Sequence, residues 1–140
     1  MAETEGRGKP ARFVDSNVLL YLISGDDAKA ARAEALLQEG AITISVQVLN
    51  EFANVARRKA GFSWGEVDAA LQAVRQVVDV VPVDVAVHER GLAVAQRWQT
   101  SVYDGMIVAA ALNAGCHTLF SEDMQDGQLI DGMRIRNPFA

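Results

Sequence analysis

A single cysteine, Cys116, excludes an internal disulfide; following a helix-ending Gly115, it reads as a small apolar filler of the core. Histidine is nearly as scarce, with His88 placed mid-helix and His117 at the start of a strand. Neither forms a zinc-finger spacing with Cys116, and both read as structural. The longest apolar runs, Val18 to Ile23 and Met106 to Leu112, are six and seven residues long, too short to cross a bilayer. The first residues, Met1 to Arg12, lack the apolar core of a secretory signal, which suggests a cytoplasmic protein with a disordered tail over residues 1–11. No glycine-rich dinucleotide fingerprint and no phosphate-loop pattern is present. Five Phe, two Tyr and two Trp make no stacking ladder, and Trp64 and Trp98, both within expected helices, read as packing residues. A net charge of −5 argues against a general nucleic-acid binder.

What is present is a 140-residue chain, half of it apolar, enough for one domain over residues 12–140 with its own core. Strand-like and helix-like segments alternate. Strands are expected at Arg12 to Asp15, Ala41 to Ser45, Val77 to Val83, His117 to Ser121 and Met133 to Arg136. Helices are expected at Asn17 to Ile23, Ala28 to Glu39, Ser45 to Lys59, Ser63 onward with a Glu66 capping box, Asp84 to Gln99, and Tyr103 to Ala114. This order predicts a three-layer α/β domain with a mainly parallel central sheet flanked by helices.

Acids interrupt the apolar segments at four places: Asp15 within Phe13 to Leu20, Glu51 within Val48 to Phe52, Asp104 within Val102 to Ile107, and Glu122-Asp123 after Leu119-Phe120. Asp15 and Glu122-Asp123 fall at carboxyl ends of expected strands, the edge where open parallel sheets bind ligands. Glu51 and Asp104 lie on the apolar stripes of their helices. Each has an ordinary explanation as well. Asp15 and Asn17 suit a helix cap, Asp104 a first helical turn, Glu51 a salt bridge and Asp123 a turn before Gly127. Their coincidence favours convergence. Two carboxylates about 4 Å apart repel by ~4 kcal/mol at an effective dielectric of 20, so a group of four needs protons or a cation. Oxygen ligands select Mg²⁺ or Mn²⁺ over Zn²⁺. Such a site collects carboxylates by necessity, which makes the net charge a poor guide to its substrate. Arg57-Arg58-Lys59, at the end of one expected helix, suits either a solvated helix terminus or a phosphate contact.

At these positions the chain resembles PIN domains, in particular the small single-domain ribonucleases of the VapC toxin type. The likeness runs from Arg12 to Phe139. It rests on Phe13-Val14-Asp15-Ser16-Asn17, Asn50-Glu51-Phe52, the block from Tyr103 to Ala111, the block from Ser121 to Gly127, and Asn137-Pro138-Phe139. The resemblance implies a Mg²⁺- or Mn²⁺-dependent endoribonuclease acting on RNA, a homodimer, held inactive by a small cognate antitoxin. Asp15, Glu51, Asp104 and Asp123 match the family's metal-site acids, Ser16 its small hydroxyl position and Asn17 its supporting polar residue. Asp126 stands near the fourth acid, and Glu122 is an alternative for that corner. Gly105 stands where the family often has Ala, a departure that raises the question of backbone rigidity. Two other readings stay open: a phosphatase or receiver-like domain using Asp15 for phosphoryl transfer, and a non-catalytic RNA- or antitoxin-binding module. The first generally needs a late lysine, and the last here is Lys59.

Overall fold

A computed structural model describes residues 11–140. The expected tail therefore lies outside the described residues apart from Ala11, whose carbonyl accepts a hydrogen bond from the His117 N–H at 3.0 Å.

The elements run β1 (Arg12–Val14), α1 (Ser16–Leu19), a 3₁₀ turn (Leu20–Ile23), α2 (Asp27–Glu39), β2 (Ile42–Ser45), α3 (Val46–Arg58) and α4 (Trp64–Arg75). There follow β3 (Asp79–Val81), α5 (Val85–Trp98), α6 (Val102–Asn113), β4 (Thr118–Phe120), β5 (Leu129–Ile130) and β6 (Met133–Arg136). The strands form one sheet in the order β3-β2-β1-β4-β6-β5, parallel throughout except for the β5–β6 pair. The expected three-layer α/β architecture is the one observed.

Local chemistry fixes where the helices begin. Ser45, Ser63, Asp84 and Ser101 each accept a backbone N–H three residues ahead. Ser63 and Glu66 complete a reciprocal capping box, with legs of 3.1 and 2.8 Å. The central strands are buried on both faces, and Phe13, Ile44, Leu119 and Ile135 sit at their core positions.

Several expectations shift. The helix expected from Asn17 to Ile23 is a single α turn followed by a 3₁₀ turn. The strand expected over Val77 to Val83 shrinks to three residues: β3 is an edge strand paired only with β2, and the N–H of Val77 is spent on a turn to Val74. Strand β6 lies where it was expected, and β5 is an addition that pairs with it as a hairpin. Its loop, Asp131-Gly132, has positive φ at both residues, the conformation a tight two-residue hairpin requires. Trp64, expected to pack, is 64% exposed, with the Arg57 guanidinium 4.5 Å above its ring. Trp98 does pack against the core.

Gly105 has a positive reason to be glycine. A Cβ there would collide with the carbonyl oxygen of Gly91 and come within 3.2 Å of Ala95 Cβ. A Cβ at Gly91 would in turn meet Met106 Sδ at 2.6 Å. The two glycines let α5 and α6 approach closely enough to share their backbone surfaces, which holds the first turn of α6 in place.

Candidate active site

The chain leaves β1 toward β2 on one side, and β4 lies on the other, so the sheet changes direction beside β1. That crevice, outside the carboxyl ends of the strands, is where an open α/β sheet offers a site. Asp15 is the residue after β1, and Ser121 to Asp123 follow β4. The sheet joins the two exits directly, since the Asp15 N–H donates to the Phe120 carbonyl at 2.9 Å.

Asp15 is only 4% exposed, and both carboxylate oxygens are used. Oδ1 accepts from the Ser16 backbone N–H at 2.7 Å, which also starts α1. Oδ2 accepts from the Ser121 hydroxyl at 3.0 Å and from Asn17 Nδ2 at 3.2 Å. Burial nevertheless pushes the carboxyl up to about 6; the Ser121 and Ser16 hydrogen bonds oppose that rise, while the charges of Glu51 and Asp104 add to it.

Glu51 enters from α3. Its Oε1 accepts the Ser16 hydroxyl at 2.8 Å, and its Oε2 accepts Gln47 Nε2 at 3.2 Å. Gln47 also donates to the Tyr103 carbonyl at 3.1 Å, linking α3 to the start of α6. Asp104 sits in the first turn of α6, half-buried, its carboxyl raised by burial first and then by Asp123 and Glu51. Asp123 is exposed at the fourth side. These four acids, with Ser16 and Asn17, line one open cleft of about 290 Å³, and Asn54 and Val55 of α3 complete its lining.

The other two sequence candidates point elsewhere. The Glu122 carboxylate accepts Lys29 Nζ at 2.7 Å and the Tyr21 hydroxyl at 2.6 Å, which lowers its pKa. Asp126 Oδ1 accepts the Asn137 N–H at 2.8 Å. That bond helps seat the carboxyl-terminal Asn137-Pro138-Phe139, whose Phe139 ring stands edge-on to Tyr21 at 4.8 Å. Neither side chain lines the cleft. Three lining or supporting residues had no role assigned from sequence. Ser121 was visible only as a member of its block. Gln47 and Asn54, four before and three after Glu51, share its helical stripe, and that spacing was the available signal.

The donor set suits a hard divalent cation: it is all oxygen, largely anionic, and includes a buried carboxyl whose charge is poorly solvated. Among the described residues, no three His, Cys, Asp or Glu side chains already close into a ligand set. An ion held here would keep part of its water shell, as Mg²⁺ ordinarily does.

Known proteins share this arrangement at the level of the fold. A toxin–antitoxin complex from Klebsiella pneumoniae has a chain 20% identical, with a TM-score of 0.71, covering 91% of this chain and 98% of its own. VapC20 of Mycobacterium tuberculosis, described as a toxin cleaving the sarcin–ricin loop, is 22% identical at a TM-score of 0.66, covering 81% and 90%. The DNA-bound VapBC of Salmonella typhimurium gives 18% identity and a TM-score of 0.69, covering 93% and 99%. No match was found among curated protein sequences. The PIN domain family model matches residues 12–125, from β1 through the acids after β4, and this chain belongs to the PIN domain family.

Proposed function

We propose that this chain is a Mg²⁺- or Mn²⁺-dependent endoribonuclease that hydrolyses RNA phosphodiester bonds as the toxin of a toxin–antitoxin pair. One observation carries the reading: Asp15, Glu51, Asp104 and Asp123, from four separate segments, line a single cleft at the sheet's switch point. Asp15, Asp104 and Asp123 would hold the ion, with Glu51 contributing through water. When bound, the ion supplies positive charge against a phosphodiester and makes a nearby water more acidic.

The chain's own residues do the rest. Ser16, Asn17 and Ser121 fix the Asp15 carboxylate in one orientation, so no reorganisation is needed when substrate arrives. Glu51, steadied by Gln47 and Ser16, orients the attacking water and takes up its proton. The water oxygen then bonds to phosphorus as the bond to the departing ribose oxygen breaks, and that oxygen takes a proton from solvent to leave as the hydroxyl. Among the described residues lining the cleft there is no lysine or arginine. A phosphoryl-accepting site would want one against the phosphoryl oxygens, so the phosphatase and receiver-like reading loses its support.

Toxin function, an antitoxin partner and a homodimer are inferred from the family and from structural relatives described as toxin–antitoxin assemblies. A cytoplasmic location belongs to the same proposal; separately, among the described residues no helix is long and apolar enough to cross a membrane. The test is cleavage of total RNA by the purified chain. Activity should vanish in EDTA, return with Mn²⁺ or Mg²⁺, and be absent in a folded Asp15→Ala variant. Undiminished cleavage in chelator would overturn the mechanism.

A further inference from the structure

A cleft lined by four acids repels the polyanion it is meant to cut, so the substrate needs positive charge close by. The basic run at the end of α3 lies in the right place, and its three members do different things. Arg57 is occupied: its Nη1 donates to the Phe62 carbonyl at 2.8 Å, and its guanidinium covers Trp64. The side chains of Arg58 and Lys59 are exposed and form no ion pair or hydrogen bond among the described residues. They line a depression whose other walls are Asn54 and Val55, the same two residues that wall the acidic cleft. The two hollows are therefore neighbours along α3, with Asn54 and Val55 on the border between them.

Helical geometry sets the spacing. Arg58 is seven residues beyond Glu51, which returns it to nearly the same face about 10 Å along the axis. That span matches about three stacked nucleotides at ~3.4 Å of rise each. We propose that Arg58 and Lys59 form a phosphate-binding track, which seats single-stranded RNA a few nucleotides from the bond placed over Asp15. Asn54 is the polar bridge between track and cleft. This assignment rests on the nuclease reading and adds the path by which the substrate strand approaches. A strand with phosphates at regular spacing fits a surface that runs from cations to a cation-seeking cleft better than an acidic peptide, which the cleft would repel without recompense.

The test uses the full chain and a fluorescein-labelled single-stranded oligoribonucleotide. Anisotropy is measured against KCl concentration with Mg²⁺ present, in an Asp15→Asn background that prevents cleavage. Replacing both residues, Arg58→Ala with Lys59→Ala, should reduce the slope of log K against log salt by about 1.4, two contacts at ~0.7 each. The charge-conserving pair, Arg58→Lys with Lys59→Arg, should keep the parental slope. With Asp15 intact, the double alanine variant should raise KM by roughly tenfold at low salt and leave kcat within about twofold. An unchanged slope and KM would overturn the track, as would loss of kcat at constant KM or no measurable RNA binding by the parent. Loss of polyglutamate binding alone would assign the face to acidic peptides and equally overturn it. A reduced slope in a protein that cleaves no RNA would keep the track and remove the nuclease reading instead.

Discussion

The backbone N–H of Glu122 donates to Asn17 Oδ1 at 3.0 Å, and this bond decides which way the Asn17 amide faces. With its oxygen committed to β4's exit, Asn17 must present Nδ2 to Asp15 Oδ2 and to the Ser121 hydroxyl, both at 3.2 Å. Tyr21 and Lys29 hold the Glu122 side chain, so the 3₁₀ turn and α2 brace the same junction from outside. Glu122 thus contributes its main chain to the site while its carboxylate looks away.

Asn17→Ala should leave Asp15 with one donor fewer and the Ser121 hydroxyl without the amide that donates to it. A residue that orients a metal ligand is worth about 10- to 100-fold in metal affinity or activity. Mn²⁺ titration by calorimetry, beside the cleavage rate, checks this. Wild-type affinity in the variant would show that Asp15 is held well enough by Ser16 and Ser121.

Glu122→Gln should leave cleavage within about fivefold of the parent, since its side chain is not on the cleft wall. Asp123→Asn should lower it by more than the ~100-fold expected of a merely supporting group. The reverse ranking would move the fourth corner of the site to Glu122.

The Asp15 carboxyl gives a signed pH dependence. Burial raises it from 3.8 to about 6, so the folded state holds a proton that the unfolded chain has already released. Below about pH 4 it is protonated in both states and contributes nothing. Between about 4 and 6 stability falls as pH rises, and above about 6 the full penalty stands, on the order of 3 kcal/mol. Asp15→Asn should therefore gain stability over the parent as pH increases through that window, read by urea unfolding at each pH. Mn²⁺ binding requires the ionised carboxylate and should strengthen over the same interval before levelling off. A stability difference independent of pH would show that Asp15 is ionised freely in the fold.

Gly105→Ala should destabilise, because the new methyl meets backbone rather than a flexible side chain. Overpacking of this kind costs about 1–3 kcal/mol, which for a domain of this size lowers Tm by several degrees. Thermal unfolding followed by circular dichroism measures it. An unaltered Tm would mean that α5 and α6 can separate at little cost.

Much of this was written into local sequence. Capping residues announced most helix starts, β-branched and apolar runs announced the central strands, and acids embedded in apolar stripes announced the residues that line the cleft, because each signal depends only on neighbours along the chain. Tertiary structure decided the rest. Whether Glu122 or Asp123 faces the cleft is a matter of one residue at a strand exit, settled by Lys29 and Tyr21 from another element. Ser121 became a donor to Asp15 across 106 residues, Gly105 became necessary through its contact with Gly91, and Arg57 was diverted to Trp64 while Arg58 and Lys59 stayed on the neighbouring hollow. No local pattern encodes such choices, because they depend on which segments the sheet order brings side by side.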